Sequence, residues 1–516
     1  MHSKASPAKG NQNAITAVVC LALAVVVAAM ASLNVALPSV AQGTHANQTQ
    51  LEWIIDAYSL VFASLLLVAG AIGDHYGRRR ALIAGLSIFG GASALAITVN
   101  SPNLLIALRA VIGLGAALVM PATLSTITST FPADRRARAV GVWAGVTGAS
   151  AVLGVLVSGL LLVVFSWQSV FAVNVVLAAV AIAGTLRVVP ESADSNATPL
   201  DVRGALIAVG GLVALVFSVI EAPTAGWLSA RTLVGISAGL LLLGGFLAWE
   251  LHQAHPLLDP HVFRDRRLAA GTGSIFIQFF AFFGFIFIVL QYLQLVRGDT
   301  ALVAAASMLP MSASMLPISR LAPGLTERFG ARPVCAGGLA LIAGGLLVLA
   351  QLSQTSSYAP MLLGLILLGT GMGLAMTPAT TGITEALPNS EQGVGSALND
   401  LSRETGGALG IAVIGSVLTA AYRSHLQLPG LPAHLAEQAR DSFAVAARAG
   451  GPTALHAHAA FVDGLHLGLT FAAGAAGLAA ILVAVFLAPR RAVRPAQRAA
   501  RARVAPAITQ EGWRTG

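Results

Sequence analysis

Asp400, Arg403, Glu404 and Gly407 fall at i, i+3, i+4 and i+7, so on a helix they share one face. They lie in an apolar run, 394–419, where ionisable side chains are expensive and mark functional positions. Glu404 stands about ten residues into that run, or ~15 Å at helical rise, which is close to the middle of a bilayer. Burial there disfavours the ionised carboxylate and the adjacent arginine favours it. That competition suits a group that takes up and releases a proton; local neutralisation by Arg403 is the simpler alternative. Asp56, Arg109 and Glu221 also sit within apolar runs. Asp56 and Arg109 lie at similar depth, so they could pair, either to move a proton or as a structural ion pair. Glu221 precedes Ala-Pro at a run's end, where solvation explains it equally well.

The elements that must hold these residues follow from composition. Of 516 residues, 56% are hydrophobic and 10% charged, and the mean hydropathy is +0.79. A soluble chain carries about 25% charged residues. Apolar stretches of roughly twenty residues mark membrane-spanning helices, and the alternating strands of a barrel are absent from the sequence. Fourteen spans are expected: 15–40, 51–72, 81–99, 103–126, 139–164, 170–188, 204–221, 232–251, 269–293, 301–321, 334–351, 358–380, 394–419 and 465–487. The first span has Lys4 and Lys9 before it, is too long for a signal-peptide core, and reads as a retained helix. With the N-terminus inside, cytoplasmic segments hold 23 of the 30 Lys and Arg residues, as the positive-inside rule requires. Both termini are therefore expected in the cytoplasm. The net charge of +9 needs no nucleic acid. The basic tail Arg490 to Arg503 reads as solvated, with contact to anionic lipid as an alternative.

One short turn carries unusual charge. "GAIGDHYGRRRALIAG" at 70–85 links spans two and three. Gly70 and Gly73 lack side chains that would hold helices apart, Gly77 suits a positive φ, and Arg78 to Arg80 anchor topology. Asp74 contributes little to topology and could accept hydrogen bonds at a neighbouring helix N-terminus. The stretch from Ala69 aligns without a gap with "APGLTERFGARPVCAGGL" from Ala322, so Asp74 meets Glu327 and Gly77 meets Gly330. The offset of 253 residues is about half the chain, and internal repeats of helix bundles are usual in secondary transporters. The expected architecture is all-α, with an N-tail (1–14) and a six-helix bundle (15–188). An extra helix pair with its linker (189–268), a second six-helix bundle (269–487, with an extracytoplasmic loop at 420–464) and a basic tail (488–516) follow.

With these residues in place, the chain resembles the major facilitator superfamily, in particular its fourteen-helix drug/proton antiporters. The resemblance rests on Gly70, Gly73, Asp74, Gly77, Arg78 and Arg79. It rests also on "SLNVALPSV" (32–40), "LEWIIDAYSL" (51–60), "LRAVIGLGAALVMPATLS" (108–125) and "SALNDLSRETGGALGIAVIGSVL" (396–418). It implies a proton-driven exporter of amphipathic, often cationic, compounds that works by alternating access. In it the turn at 70–79, with Glu327 in the repeat, would act as a conformational latch. It further implies proton transfer at Arg109, cation-binding acids around Asp400 and Glu404, and an antiporter motif in span five at Gly154, Ser158 and Gly159. The chain departs from the pattern at Ala29, where many relatives carry aspartate, at Val155 and Ser158 in span five, and at Gln168.

Other chemistries find little support. Cys20 and Cys335 both lie in apolar runs, which disfavours a disulfide or zinc site. His252, His255 and His261 cluster, but weakly suggest metal. No phosphate-cradling loop appears, so ATP-driven pumping is disfavoured. Phe276, Phe279, Phe280, Phe282, Phe283 and Trp53 either line an aromatic binding wall or pack. The expectation is a monomeric transporter without a cofactor, in the cytoplasmic membrane, using a proton gradient to exchange protons for an amphipathic small molecule. A proton-coupled transporter of one metabolite is the alternative, and a membrane sensor or enzyme a distant one.

Overall fold

The computed structural model describes residues 9–193, 201–253, 256–387, 392–428, 432–447 and 451–486, and these are helical apart from short connections. The basic tail and Lys4 lie outside the described residues. Helices α1 (Lys9–Thr44), α2 (Gln48–Tyr76), α3 (Arg78–Ile97), α4 (Pro102–Thr130), α5 (Ala133–Val164) and α6 (Ser169–Val188) come first. The pair α7 (Val202–Ala225) and α8 (Ala230–Glu250) follows. Then come α9 (Arg266–Gln291), α10 (Ala301–Ala306), α11 (Leu309–Phe329), α12 (Ala331–Leu349), α13 (Tyr358–Glu385) and α14 (Gln392–His425). The short α15 (Ala433–Asp441) and α16 (Phe443–Ala446) lead into α17 (Gly451–Phe486).

Thirteen of these stretches are long and apolar enough to cross a bilayer. Helix α2, bent by 55° between Gln48–Leu66 and Val68–Tyr76, makes the fourteenth. The fourteen expected spans thus all have a helix. The last begins earlier than position 465, because the alanine-rich stretch from Gly451 has high helix propensity and extends α17 by about four turns. The segment 420–464 is therefore largely helical among its described residues.

The repeat read in the sequence is present in the backbone. Helix α2 ends at Tyr76 and α3 starts at Arg78; α11 ends at Phe329 and α12 starts at Ala331. Gly77 and Gly330 between them have φ of 113° and 91°, a region that favours glycine. The matched Gly85 and Gly338 each press against the next helix, at the Gly115 and Gly371 carbonyls.

Small residues set how closely the helices approach. On α14, Gly406 and Gly410 lie against the Phe276 and Phe280 carbonyls of α9, where a methyl group would collide with backbone. The phenylalanines of α9 accordingly pack: Phe279, Phe280 and Phe283 are buried, and Phe280 meets Phe471 of α17 at a tilt of 50°. Contacts between the two halves gather at the end away from Gly77 and Gly330. There Thr419 Oγ1 donates to Glu52 Oε1 (2.8 Å), and Gln294 Nε2 donates to the Val35 carbonyl (2.9 Å). Gly159 of α5 meets Ala301 and Leu302 of α10 at the same end.

Glycine positions in the charged turn are not equivalent. A methyl group at Gly70 or Gly73 makes only ordinary contact with Pro121 or Ala81, so close helix approach does not require either in this conformation. At Gly77 it meets the Glu191 carboxylate, on a backbone L-residues rarely adopt. Gly77→Ala is expected to cost about 1–3 kcal/mol and Gly73→Ala less than about 0.5 kcal/mol. Thermal unfolding of the detergent-solubilised variants, read against wild type, checks this ranking.

Candidate functional site

Arg403 chooses one acid. Its Nη1 lies 3.5 Å from Asp400 Oδ1, one turn back on α14, and its guanidinium carbon stands 4.9 Å from the centre of the Phe279 ring. Glu404 points elsewhere. It is 2% exposed, and its Oε2 is buried without a hydrogen-bond partner. Asp400 thus neutralises the arginine, and Gly407, on the same face, leaves room for Phe283 of α9. The shared face read from the spacing is real, and within it Asp400 is paired with Arg403 while Glu404 Oε2 has no partner.

Asp56 and Arg109 do not pair. Arg109, fully buried on α4, donates from Nε to the Ile54 carbonyl (2.8 Å) and lies 4.4 Å over the Tyr58 ring. Tyr58 in turn donates to the Val26 carbonyl of α1. Similar depth is not similar direction: Ile54 and Tyr58 lie one turn apart on α2, whereas Asp56, two residues from each, points about 200° away. Both Asp56 oxygens are buried without partners.

On that other face stands an acid the sequence reading passed over. Glu52, one turn before Asp56, is 0% exposed. It accepts from Thr419, and its Oε2 has no partner. It stands at the start of the expected span 51–72 and was not among the residues singled out; the i, i+4 spacing to Asp56 was the available signal. Glu221 of α7 is half-buried and accepts from Trp53 Nε1 (3.3 Å), at the side of a groove of about 300 Å³ shared with Phe217 and Arg231 of α7 and α8.

The charged turn is built from three segments. Asp74 Oδ1 binds Arg78 Nε and Nη2 (2.9 and 2.8 Å) within the turn. The carboxylate at the α3 N-terminus is instead Glu191, just after α6, which accepts from the Arg79 amide (3.2 Å), where a helix end favours negative charge. Arg79 Nη2 donates to the Leu186 carbonyl (2.6 Å). Glu327, the counterpart of Asp74, is exposed. In α5, Gly154 lies against Ala28 of α1, Ser158 is buried with an unpartnered hydroxyl, and Gly159 meets α10. Gly154 therefore serves packing within one half and Gly159 packing between the halves. Among the histidines, His252 contacts the Ala248 carbonyl and His261 contacts Asp259; His255 lies outside the described residues.

Known proteins bear on this arrangement. The Major Facilitator Superfamily profile matches residues 19–411, about three quarters of the chain. The chain belongs to the major facilitator superfamily. It is 30% identical over 508 residues to the tetracenomycin C resistance and export protein of Streptomyces glaucescens, covering 95% of this chain and 94% of that one. It is 34% identical to the methyl viologen resistance protein SmvA of Salmonella typhimurium, over 80% of this chain and 83% of the other. Identity to the multidrug resistance protein Stp of Mycobacterium tuberculosis is 35%, over 75% and 72%. Among solved structures, an inward-facing bacterial homologue of the lysosomal transporter Spinster aligns over 93% of this chain and 98% of its own, with a TM-score of 0.66 at 16% identity. That likeness shows the fold. As a member of this superfamily the protein is a membrane transporter of small molecules rather than an enzyme.

The geometry predicts which buried charges are coupled. Asp56→Asn and Arg109→Gln should be additive within about 0.5 kcal/mol, because the groups share no contact. Arg109→Gln and Tyr58→Leu should instead couple by about 0.5–2 kcal/mol through the lost cation–π contact. A double-mutant cycle by thermal unfolding reads both.

Proposed function

We propose that this transporter exports amphipathic, cationic compounds in exchange for protons. It does so by alternating access between its two halves, as a monomer in the cytoplasmic membrane with the Gly77 and Gly330 turns and both termini in the cytoplasm. The relatives' names, resistance to methyl viologen and export of tetracenomycin C among them, favour efflux of toxic compounds. The arginines flanking both turns favour the orientation. The observation that carries the exchange mechanism is Glu404: a nearly fully buried acid, about 18 Å along α14 from Gln392, whose adjacent arginine is held by Asp400 and Phe279.

In this reading the ionised Glu404 attracts a cation strongly, since few screening dipoles surround it. A proton removes that attraction. Substrate and proton then compete for one charge, and the site binds either but not both, which is exchange. Raising the pH ionises Glu404 and so strengthens cation binding; lowering it weakens binding. Asp74 is proposed to hold one conformation of the turn through Arg78.

Glu404→Gln should therefore weaken binding of a lipophilic cation at least about tenfold, equal to about 1.4 kcal/mol, and flatten its dependence on pH. It should also abolish efflux driven by an imposed pH gradient in proteoliposomes. Full pH-driven efflux in this variant would move the coupling to the Asp56 and Arg109 faces of α2. Asp74→Asn should lower transport at least about tenfold while equilibrium binding of the same cation stays within about twofold. Wild-type transport in a folded Asp74→Asn protein would remove the latch.

A further inference from the structure

We propose that Glu52 is a second proton site, and that its protonation closes the end of the transporter away from Gly77 and Gly330. The proposal rests on the proton-exchange reading above and adds a site to it. Glu52 lies where α2 of one half meets α14 of the other, and Gly415 supplies the space its carboxyl group fills. Thr419 Oγ1 donates to Oε1 across that seam, while Oε2 accepts no hydrogen bond: the nearby Ser416 hydroxyl is turned to the Val219 carbonyl. Asp56, one turn deeper, has both oxygens without partners.

The surroundings supply no compensating cation. Among the described residues, no Lys, Arg or His lies within 4.0 Å of Glu52 or Asp56. On α7 the facing group is another acid, Glu221, held by Trp53. On α4, Arg109 is committed to Ile54 and Tyr58. On α14, Glu404 lies deeper, and at the near end Arg423 pairs with Asp441 and His425 with Asp463. Just after α1, His45 is exposed, and the arginines of α3 are at the opposite end.

The neutral acid fits this seam. It keeps the Thr419 bond and a carboxyl group beside Gly415 with no net charge in an apolar contact. The ionised acid places a negative charge next to Asp56 and Glu221 with only hydroxyl donors and no cation near it, which favours parting of α2 from α14 and access of water. A proton taken from the open side is thus the condition for closing that side. Cation release to that side and return of the proton-loaded transporter are then linked through a residue distinct from Glu404.

The seam can be watched directly. Nitroxide labels at Ser101→Cys and Thr355→Cys, exposed on the two halves at this end, report its opening by electron–electron distance measurement in nanodiscs, with Cys20 and Cys335 replaced by alanine. In the otherwise unsubstituted chain, the closed-to-open ratio should rise at least about threefold on going from about pH 8 to about pH 5. Glu52→Gln should remain closed at both values. Thr419→Val, which keeps the volume and removes the donor, should lower the closed population at about pH 5. An unchanged pH response in Glu52→Gln, or a closed population untouched by Thr419→Val, overturns the proposal. Glu404→Gln in the same background separates the two readings. Loss of the response there with its retention in Glu52→Gln removes Glu52 and leaves Glu404 as the coupling site. The reverse pattern keeps Glu52 and removes Glu404.

Discussion

Carboxylates buried without a cation are the constraint on which this structure turns. Moving an ionised carboxylate out of water costs several kcal/mol even after relaxation, and Glu52, Asp56 and Glu404 are each at most 2% exposed. Asp400 has Arg403 within 3.5 Å; among the described residues none of the other three has a cation within 4.0 Å, and Arg403 reaches Glu404 only at longer range. In the proposed exchange, groups so placed respond to protons and cations because either relieves the same cost. Their positions then decide which helices feel the response: Glu404 within α14, and Glu52 and Asp56 on the α2 face turned towards it.

The rest of the fold makes that response transmissible. Glycines let α14 press on α9 through Gly406 and Gly410, so a change at Glu404 meets a tightly fitted neighbour rather than a loose one. At the far end, Glu52 on α2, Gln294 in the turn after α9 and Gly159 on α5 join the halves. At the near end, the Asp74–Arg78 pair and the Glu191 carboxylate lock the α2–α3 turn within its own half. Among the described residues few polar side-chain bonds cross between the halves, such as those of Glu52 and Gln294, and bundles joined in this way favour rocking over internal deformation.

Much of this architecture is legible in the sequence because its causes are local. Span length, the arginine bias and the glycine of a positive-φ turn each act within about twenty residues, and the 253-residue offset is visible wherever those signals recur. The Asp400, Arg403 and Glu404 face was likewise readable from i, i+3 and i+4 spacing. What failed was direction across helices. Depth along a helix suggested an Asp56–Arg109 pair, but azimuth separates them, and azimuth relative to a neighbour is a tertiary property. Glu52 was missed for a related reason: it stands at the very end of its span, and the helix from the other half that covers it is invisible in the local sequence. Glu191 could not be foreseen as the α3 cap because it arrives from a segment 112 residues further on.

The central claim is that one buried acid carries either a proton or the cation. Proton release on binding tests it most directly. A lipophilic cation such as tetraphenylphosphonium, added to weakly buffered, detergent-solubilised protein at a pH where Glu404 is partly protonated, should release protons in proportion to the sites filled. Glu404→Gln should release none at matched occupancy. Equal release from both proteins would contradict the account.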